Sequence, residues 1–337
     1  MLDLKIRPYS VTDNEEALAL EARCVQGKTL ALRFRRPTFH GRSEIYEHYR
    51  IYCAKHNGSL VGIIAGALKT VQLHGESVTA AYVYDLRVHP GCRGQGVAKR
   101  LTNVLLEEIG SRAECLYTFI HGENEKALGL ACRNFGAEAV IPLSYAVIPV
   151  YRRLAEAELS EYRKPLQIHQ AYLEANSGIE FRAPFEDWKL NGHVVSLALN
   201  REKSAGCSVW SNENVLAEEV VRIPASFRLM SALSAPLRLF LNLPSIPRPG
   251  EVIRSWFLFD LYAESKKSLS GLFVAVGNFA LANGRTYLYL LLQKDDPQLD
   301  WIRQVCRRTF TFPYYFLAKG RSIPKPGDHL YIDVRDL

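Results

Sequence analysis

The sequence predicts a mixed α/β protein, with helices packed on a mixed sheet, and three observations predict it. β-rich runs alternate with amphipathic helical stretches along the chain instead of segregating from them. A long β-rich run, residues 78–88, enters a glycine-rich loop that opens a helix. The succession strand, helix, strand, helix, strand occurs once in each half, as a repetition of element order and not of residue identity. The length, 337 residues, suits two domains of ordinary size.

Each element has its own signal. Leu4-Lys5-Ile6-Arg7 alternates like a short strand, and Asp13 suits the N-cap of a helix through Leu18, Leu20 and Ala22. The Arg-rich segment 34–42 reads as loop and helix. Residues 51–54 and 60–67 read as strands joined by the Asn57-Gly58 turn, and His74-Gly75 marks the turn into 78–88. After the glycine loop, Val97, Leu101, Val104, Leu105 and Ile109 recur at helical spacing. A strand at 115–120, a helix at 124–134 and a strand at 139–150 complete the first half. The charged stretch 152–163, poor in β-branched residues, is the expected connection, which divides the chain into domains 1–152 and 153–337. In the second half, strands are expected at 255–262, 286–292, 310–317 and 329–334, and helices at 271–282 and 298–306.

Composition excludes several classes. With 48% hydrophobic and 23% charged residues the chain is globular and not disordered. The formal charge of +7 favours anionic partners, but the basic residues are scattered, the densest groups being Arg33 to Arg36 and Arg307-Arg308. No long basic block or zinc-finger spacing argues for nucleic acid. Seven cysteines without a C-x-x-C pair fit free thiols and neither a disulfide framework nor a metal site. The start of the chain is unlike a signal peptide. The most apolar stretch, 269–282, is short and interrupted by Gly271, Gly277 and Asn278. A cytoplasmic protein without membrane contact is the expectation.

The chemistry concentrates in Asp85 to Leu101. A strand runs into Gly91-Cys92-Arg93-Gly94-Gln95-Gly96, and a helix follows from Val97 and Ala98. The first turn of a helix carries unpartnered N–H groups at the positive end of its dipole, which suits a phosphate. Gly94 and Gly96 let the backbone come close to a pyrophosphate. A P-loop would need Lys where Val97 stands. A dinucleotide fingerprint would need glycine where Lys99 stands.

Arg-x-x-Gly-x-Ala, Arg93 to Ala98, resembles the pyrophosphate loop of the GNAT N-acetyltransferases. Leu86-Arg87-Val88-His89-Pro90 resembles the strand end that precedes that loop, and Asn124-x-x-Ala127 the family's downstream helix. Ala81-Tyr82-Val83, Ser208-Val209-Trp210, 243–247 and Ile332-Asp333-Val334-Arg335-Asp336 are similar to the plant hookless-type N-acetyltransferases. That resemblance spans nearly the whole chain. It implies tandem GNAT-like domains, the second degenerate: its corresponding stretch, Glu264 to Gly271, lacks the Arg-x-x-Gly motif.

The resemblance further implies an acetyltransferase that binds acetyl-CoA. Arg93, Gly94, Gln95, Gly96, Val97 and Ala98 would hold the pyrophosphate. The Leu86, Arg87 and Val88 amides would hold the pantetheine arm, with the Val88 N–H polarising the thioester carbonyl. Asn124 would lie near the sulfur. The acceptor is an amine, on a small molecule or a protein. It must lose a proton, and Tyr82 and Asp85 are the candidate catalytic residues. Strict strand alternation sets Tyr82, Tyr84, Leu86 and Val88 on one face and Asp85 and Arg87 on the other, so Tyr82 and Asp85 face one acceptor only if the strand bulges. Asp85 has an alternative as a salt-bridge partner of Arg87, and the tyrosines as core residues. The general-acid Tyr that many relatives carry after Asn124 is missing, since Leu130-Ala131-Cys132-Arg133 stands there; Cys132 and His121 are substitutes to weigh. Some tandem relatives use a terminal carboxylate as base, which raises the same role for Leu337. The alternative to an enzyme is a non-catalytic acyl-CoA-binding regulatory or interaction protein.

Overall fold

The computed structural model describes residues 2–27, 30–151, 153, 159–185, 194–199, 204–225 and 246–337. The first half contains strands β1 (Lys5–Pro8), β2 (Ala31–Arg35), β3 (His48–His56), β4 (Ser59–Leu73), β5 (Glu76–Val88), β6 (Cys115–His121) and β7 (Ala139–Pro149). Its helices are α1 (Asn14–Arg23), α2 (Val97–Ile109) and α3 (Glu125–Leu130). The second half contributes β8 (Leu159–Arg163), α4 (Pro165–Ala175), β9 (Ile179–Glu180), β10 (Val194–Leu199), β11 (Ala205–Trp210), β12 (Ala217–Arg222) and β13 (Ser255–Ala263). It continues with α5 (Lys266–Ala282), β14 (Tyr287–Gln293), α6 (Pro297–Val305), β15 (Phe310–Gly320) and β16 (His329–Leu330).

Among the described residues, twelve strands form one mixed sheet in the order β1-β3-β4-β5-β6-β15-β7-β14-β13-β11-β10-β8. The mixed α/β class expected from the sequence is observed. The doubled element order is observed as well, as β5-α2-β6-α3-β7 and β13-α5-β14-α6-β15. The sequence did not disclose the exchange between the halves. β15 lies between β6 and β7, antiparallel to both, and β7 pairs β14. A small ribbon of β2 with β12 also bridges the halves.

The helix α2 shows why the pattern folds this way. Val97, Leu101, Leu105 and Ile109 recur on one face and are buried against the sheet with Ile64, Ala81 and Val83. The opposite sheet face holds an aromatic core of Tyr46, Tyr82, Tyr84, Tyr117 and Phe316.

Four sequence expectations need correction. The segment 34–42 was expected as loop and helix; its first two residues end strand β2, and a 3₁₀ turn follows at His40–Ile45. Of the expected connection, 159–163 form an edge strand paired with β10, whereas 152 and 154–158 lie outside the described residues. The expected strand at 329–334 is confined to His329–Leu330, and the chain then turns into a short 3₁₀ helix, Val334–Asp336. Strict alternation fails in β5: Ala65 faces Tyr84 and Ile63 faces Arg87, so Ile64 opposes both Asp85 and Leu86. Asp85 adopts φ +51°, which marks a bulge. Tyr82 and Tyr84 therefore join the aromatic core, and Leu86 and Val88 pack on the α2 side. Leu243 to Ser245 of the quoted similarity lie outside the described residues.

The seam between β6 and β15 ends at a glycine whose place leaves no room for a side chain. Gly320 has φ +142°, and a Cβ there would lie 2.1 Å from the Glu114 carbonyl oxygen. Gly320→Ala is expected to cost about 2–4 kcal/mol, from backbone strain plus a contact that only backbone movement relieves. Urea unfolding at equilibrium checks this.

Candidate active site

β5 and β6 run parallel and pair only through Ala80–Cys115, Ala81–Leu116 and Tyr82–Tyr117. Beyond Tyr82 they part, so 83–88 has β4 on one side and, among the described residues, no strand on the other. The His89 N–H donates to the Val61 carbonyl of β4 at 2.9 Å. Successive N–H groups of an extended strand point to opposite sides. The Val88 N–H therefore points away from β4, into the opening.

The opening ends at the glycine loop. The Gln95 side-chain amide donates to the Gly91 carbonyl at 3.0 Å and the Arg93 Nε to the Val88 carbonyl at 3.3 Å, which tie the loop to itself and to the strand end. Gly96 is the N-cap of α2 with φ +81°, and Gly94 has φ +77°. Beyond the adjoining residues, no heavy atom stands within 4 Å of where a Cβ would be at either position. The loop is exposed and open, its Val97 anchor is buried and Ala98 is half-buried. The positive end of α2 thus faces free space bounded by backbone, the arrangement a pyrophosphate needs. Asn124 caps α3: its Oδ1 accepts from the Ala127 N–H at 3.2 Å.

The bulge turns Asp85 into the aromatic side of the sheet, where it meets three arginines. Arg36 Nη1 donates to Asp85 Oδ2 at 2.7 Å, Arg42 Nη1 to Oδ1 at 3.2 Å and Arg87 Nη2 to Oδ1 at 3.3 Å. The sequence had suggested the last of these partners. Arg36 also holds Glu21 of α1 through two bonds, and its guanidinium is fully buried. Burial would raise the Asp85 carboxyl, but the three guanidiniums overcome it and hold the group well below the usual carboxylate range.

Arg42 links Asp85 to Tyr82. Its Nη2 donates to the Tyr82 hydroxyl at 3.3 Å, and to the main-chain oxygens of Asp336 and Leu337 at 3.1 and 3.2 Å. The Tyr82 hydroxyl donates to the Asp336 carbonyl. Burial raises the Tyr82 phenol far above its ordinary value, with Arg42 opposing, so it remains protonated. The Asp336 carboxylate accepts from Tyr46 at 2.9 Å, from Tyr117 at 2.8 Å and from Lys69 at 2.7 Å. The Tyr82 ring stacks on Tyr84 at 4.8 Å and on Tyr117 at 5.2 Å.

The structure therefore brings together Tyr82, Asp85 and the Leu86–Val88 strand end, with the Arg93–Ala98 loop beyond it. Sequence reading missed Glu21, Arg36, Arg42, Lys69, Tyr46 and Tyr117. Arg36 belonged to a group read as surface charge. His121 is half-buried with its Nδ1 accepting from the Glu123 N–H, and burial lowers its pKa. Cys132 is exposed. A groove of about 490 Å³ beside α1 is lined by Glu21, Phe34, Arg36 and Glu213, and the Arg87 guanidinium lies 5.5 Å over the Phe34 ring. The groove is thus one side chain away from the strand end. All seven cysteines are free. Among the described residues, no group of His, Cys, Asp and Glu could hold a metal, and no helix is long and apolar enough to cross a membrane.

Comparison with known proteins bears on the fold. Residues 5–120 match the family model described as an acetyltransferase (GNAT) domain. No curated protein matches the sequence. Among solved structures, N-myristoyltransferase of Saccharomyces cerevisiae with bound myristoyl-CoA is similar at TM-score 0.64 and 12% identity, over 97% of this chain and 85% of that one. A Pyrococcus horikoshii protein assigned as an acetyltransferase is similar at TM-score 0.54 and 11% identity, over 99% and 95% of the two chains. The fold is of the GNAT type.

Proposed function

We propose that this protein is an acetyl-CoA-dependent N-acetyltransferase that acylates a primary amine by direct attack, as in the relatives that its sequence resembles, the hookless-type proteins among them. The observation that carries the reading is the opening between β5 and β6, which leads to a glycine loop with empty space above Gly94 and Gly96. Bound there, acetyl-CoA supplies an activated acyl thioester. Arg93 to Ala98 hold its pyrophosphate through backbone N–H groups, and the Val88 amide, turned away from β4, lies along its arm beside Leu86 and Arg87. The Val88 N–H stands where the carbonyl oxygen gains charge, and such a donor is worth roughly 3–4 kcal/mol. The closed stack of Tyr82, Tyr84 and Tyr117 at the apex favours a short acyl group.

Asp85, neutralised by three arginines, holds Arg42 in place, and Arg42 with Tyr82 shapes the corner where the amine arrives. In a chain that ends at Leu337, the carboxylate of that residue would stand in this corner as proton acceptor. Residues appended after Leu337 are then expected to lower turnover. The groove beside α1 is the proposed approach for the acceptor.

The test is amine-dependent thiol release from acetyl-CoA over a panel of amines, with longer acyl-CoAs as comparison. Turnover with the acetyl thioester supports the reading. Tight binding with no turnover on any amine supports the non-catalytic acyl-CoA-binding alternative, which the pairing of Asp85 and Asp336 with cations favours. In an active enzyme, Tyr82→Phe is expected to reduce kcat about tenfold and leave acetyl-CoA affinity unchanged, because the hydroxyl contacts Arg42 and Asp336 and not the loop.

A further inference from the structure

The opening described above occurs twice. β13 and β14 run parallel and pair only through Ser255–Tyr287, Trp256–Leu288 and Phe257–Tyr289. On the other side of β13, Ser208 faces Phe259 and Gly206 faces Tyr262, so Cys207 opposes both Asp260 and Leu261. Asp260 has φ +52°, against +51° at Asp85. Ala80, Tyr82 and Asp85 thus correspond to Ser255, Phe257 and Asp260 at a constant sequence spacing. The second half has kept the bulge and the aspartate while lacking the phosphate loop.

This second opening is filled by the chain itself. The Tyr331 hydroxyl donates to Asp260 Oδ1 at 2.7 Å, and His169 Nδ1 lies 3.1 Å from Oδ2. The Gln293 side chain donates to the Asp328 carbonyl at 2.9 Å and accepts from the Leu330 N–H at 2.7 Å. Residues 329–332 and Val334 close against both strands, leaving a cavity of only about 30 Å³. A few residues later the same segment packs on the aromatic face of the sheet beside the first opening. Asp333 accepts from Lys69 at 2.8 Å, and Asp336 meets Lys69, Tyr46, Tyr117, Tyr82 and Arg42.

We propose that the second opening is a holder for the chain's own segment 328–334, and that His169, Asp260 and Tyr331 are positioning residues that set Asp336 against Tyr82 and Arg42 of the first. The degenerate half acts in the reaction through this strap. Its bulge aspartate, partnered by a histidine and a tyrosine where Asp85 has arginines, has exchanged a cofactor slot for an anchor. The effect on turnover rests on the acetyltransferase reading; the effect on the strap does not.

The experiment compares Tyr331→Phe and Asp260→Asn with wild type in three measurements. Hydrogen exchange of the peptide covering 328–337 is expected to accelerate at least tenfold, with α2 and its preceding loop unchanged. Acetyl-CoA affinity is expected to stay within twofold. Turnover is expected to fall about tenfold in kcat with little change in the KM for acetyl-CoA. His169→Asn, which leaves the Tyr331 bond, is expected to give a smaller change in each. Unchanged exchange of 328–337 in both Tyr331→Phe and Asp260→Asn overturns the proposal. So does accelerated exchange with wild-type kcat. If Asp260→Asn unfolds, the conservative Tyr331→Phe decides alone. If the wild-type protein itself shows no turnover, the acetyltransferase reading fails, and the exchange measurement still decides whether the second opening holds the strap.

Discussion

Titration of acetyl-CoA into Gly96→Arg is expected to give no measurable heat under conditions where the wild-type protein binds clearly. Gly96 caps α2 in a left-handed conformation that costs another residue about 1–2 kcal/mol. That cost alone would weaken binding and not abolish it. The larger effect is occupancy: the space above Gly96 is empty, and an arginine side chain would project into it, where the pyrophosphate is proposed to sit. A Cβ at this position meets nothing within 4 Å beyond its own chain neighbours, so the melting temperature should fall by only a few degrees. Loss of binding with the fold retained supports the Arg93–Ala98 site. Binding unchanged in the variant would remove that site from the argument, and with it the proposed function.

Asp85→Ala is expected to destabilise the protein by about 3–5 kcal/mol, the range for removing one member of a buried ionic cluster. It leaves Arg36 with Glu21 as its remaining carboxylate, removes the carboxylate side chain that holds buried Arg42, and frees Arg87 from its nearest carboxylate. Asp85→Asn keeps acceptor oxygen and volume, and should cost less. Urea unfolding of the two variants measures the difference. The cluster also fixes a pH dependence. Because the folded protein holds Asp85 below its ordinary value, its contribution is complete above the unfolded carboxylate pKa near 3.9 and is lost as the pH falls below it. Asp260 and Asp336 are raised by burial and run the other way, so the Asp85→Ala variant should show a flatter acid limb than wild type.

The parts of this structure that were legible in the sequence are those that local chemistry dictates. Gly94 and Gly96 permit a left-handed loop whatever surrounds them, and Val97 to Ile109 carry their own period, so loop and helix could be placed by residue number. Asp85 was harder. Its face depends on a register shift against β4, a property of two strands that neither records alone. Arg36 and Arg42 look like surface charge because arginines usually are, and their burial becomes tolerable only through Glu21, Asp85 and the backbone at Asp336, some of them distant in sequence. The bond from Tyr82 to Asp336 spans most of the chain and has no local signature at either end. The exchange of β15 for β7 is invisible for the same reason: both strands have the composition of ordinary buried strands, and their neighbours are decided in three dimensions.

That exchange has a consequence for how the molecule is made. As the chain leaves the ribosome, β6 and β7 emerge with nothing to lie between them until β15 is synthesised near the end. Two strand edges rich in apolar and aromatic residues therefore wait, unpaired, through synthesis of most of the second half, the situation in which nascent chains associate wrongly or recruit chaperones. Pairings of such long sequence separation also form slowly once the chain is complete. The seam that joins the two halves into one sheet makes assembly of this protein a late, single event and not the sum of two early ones.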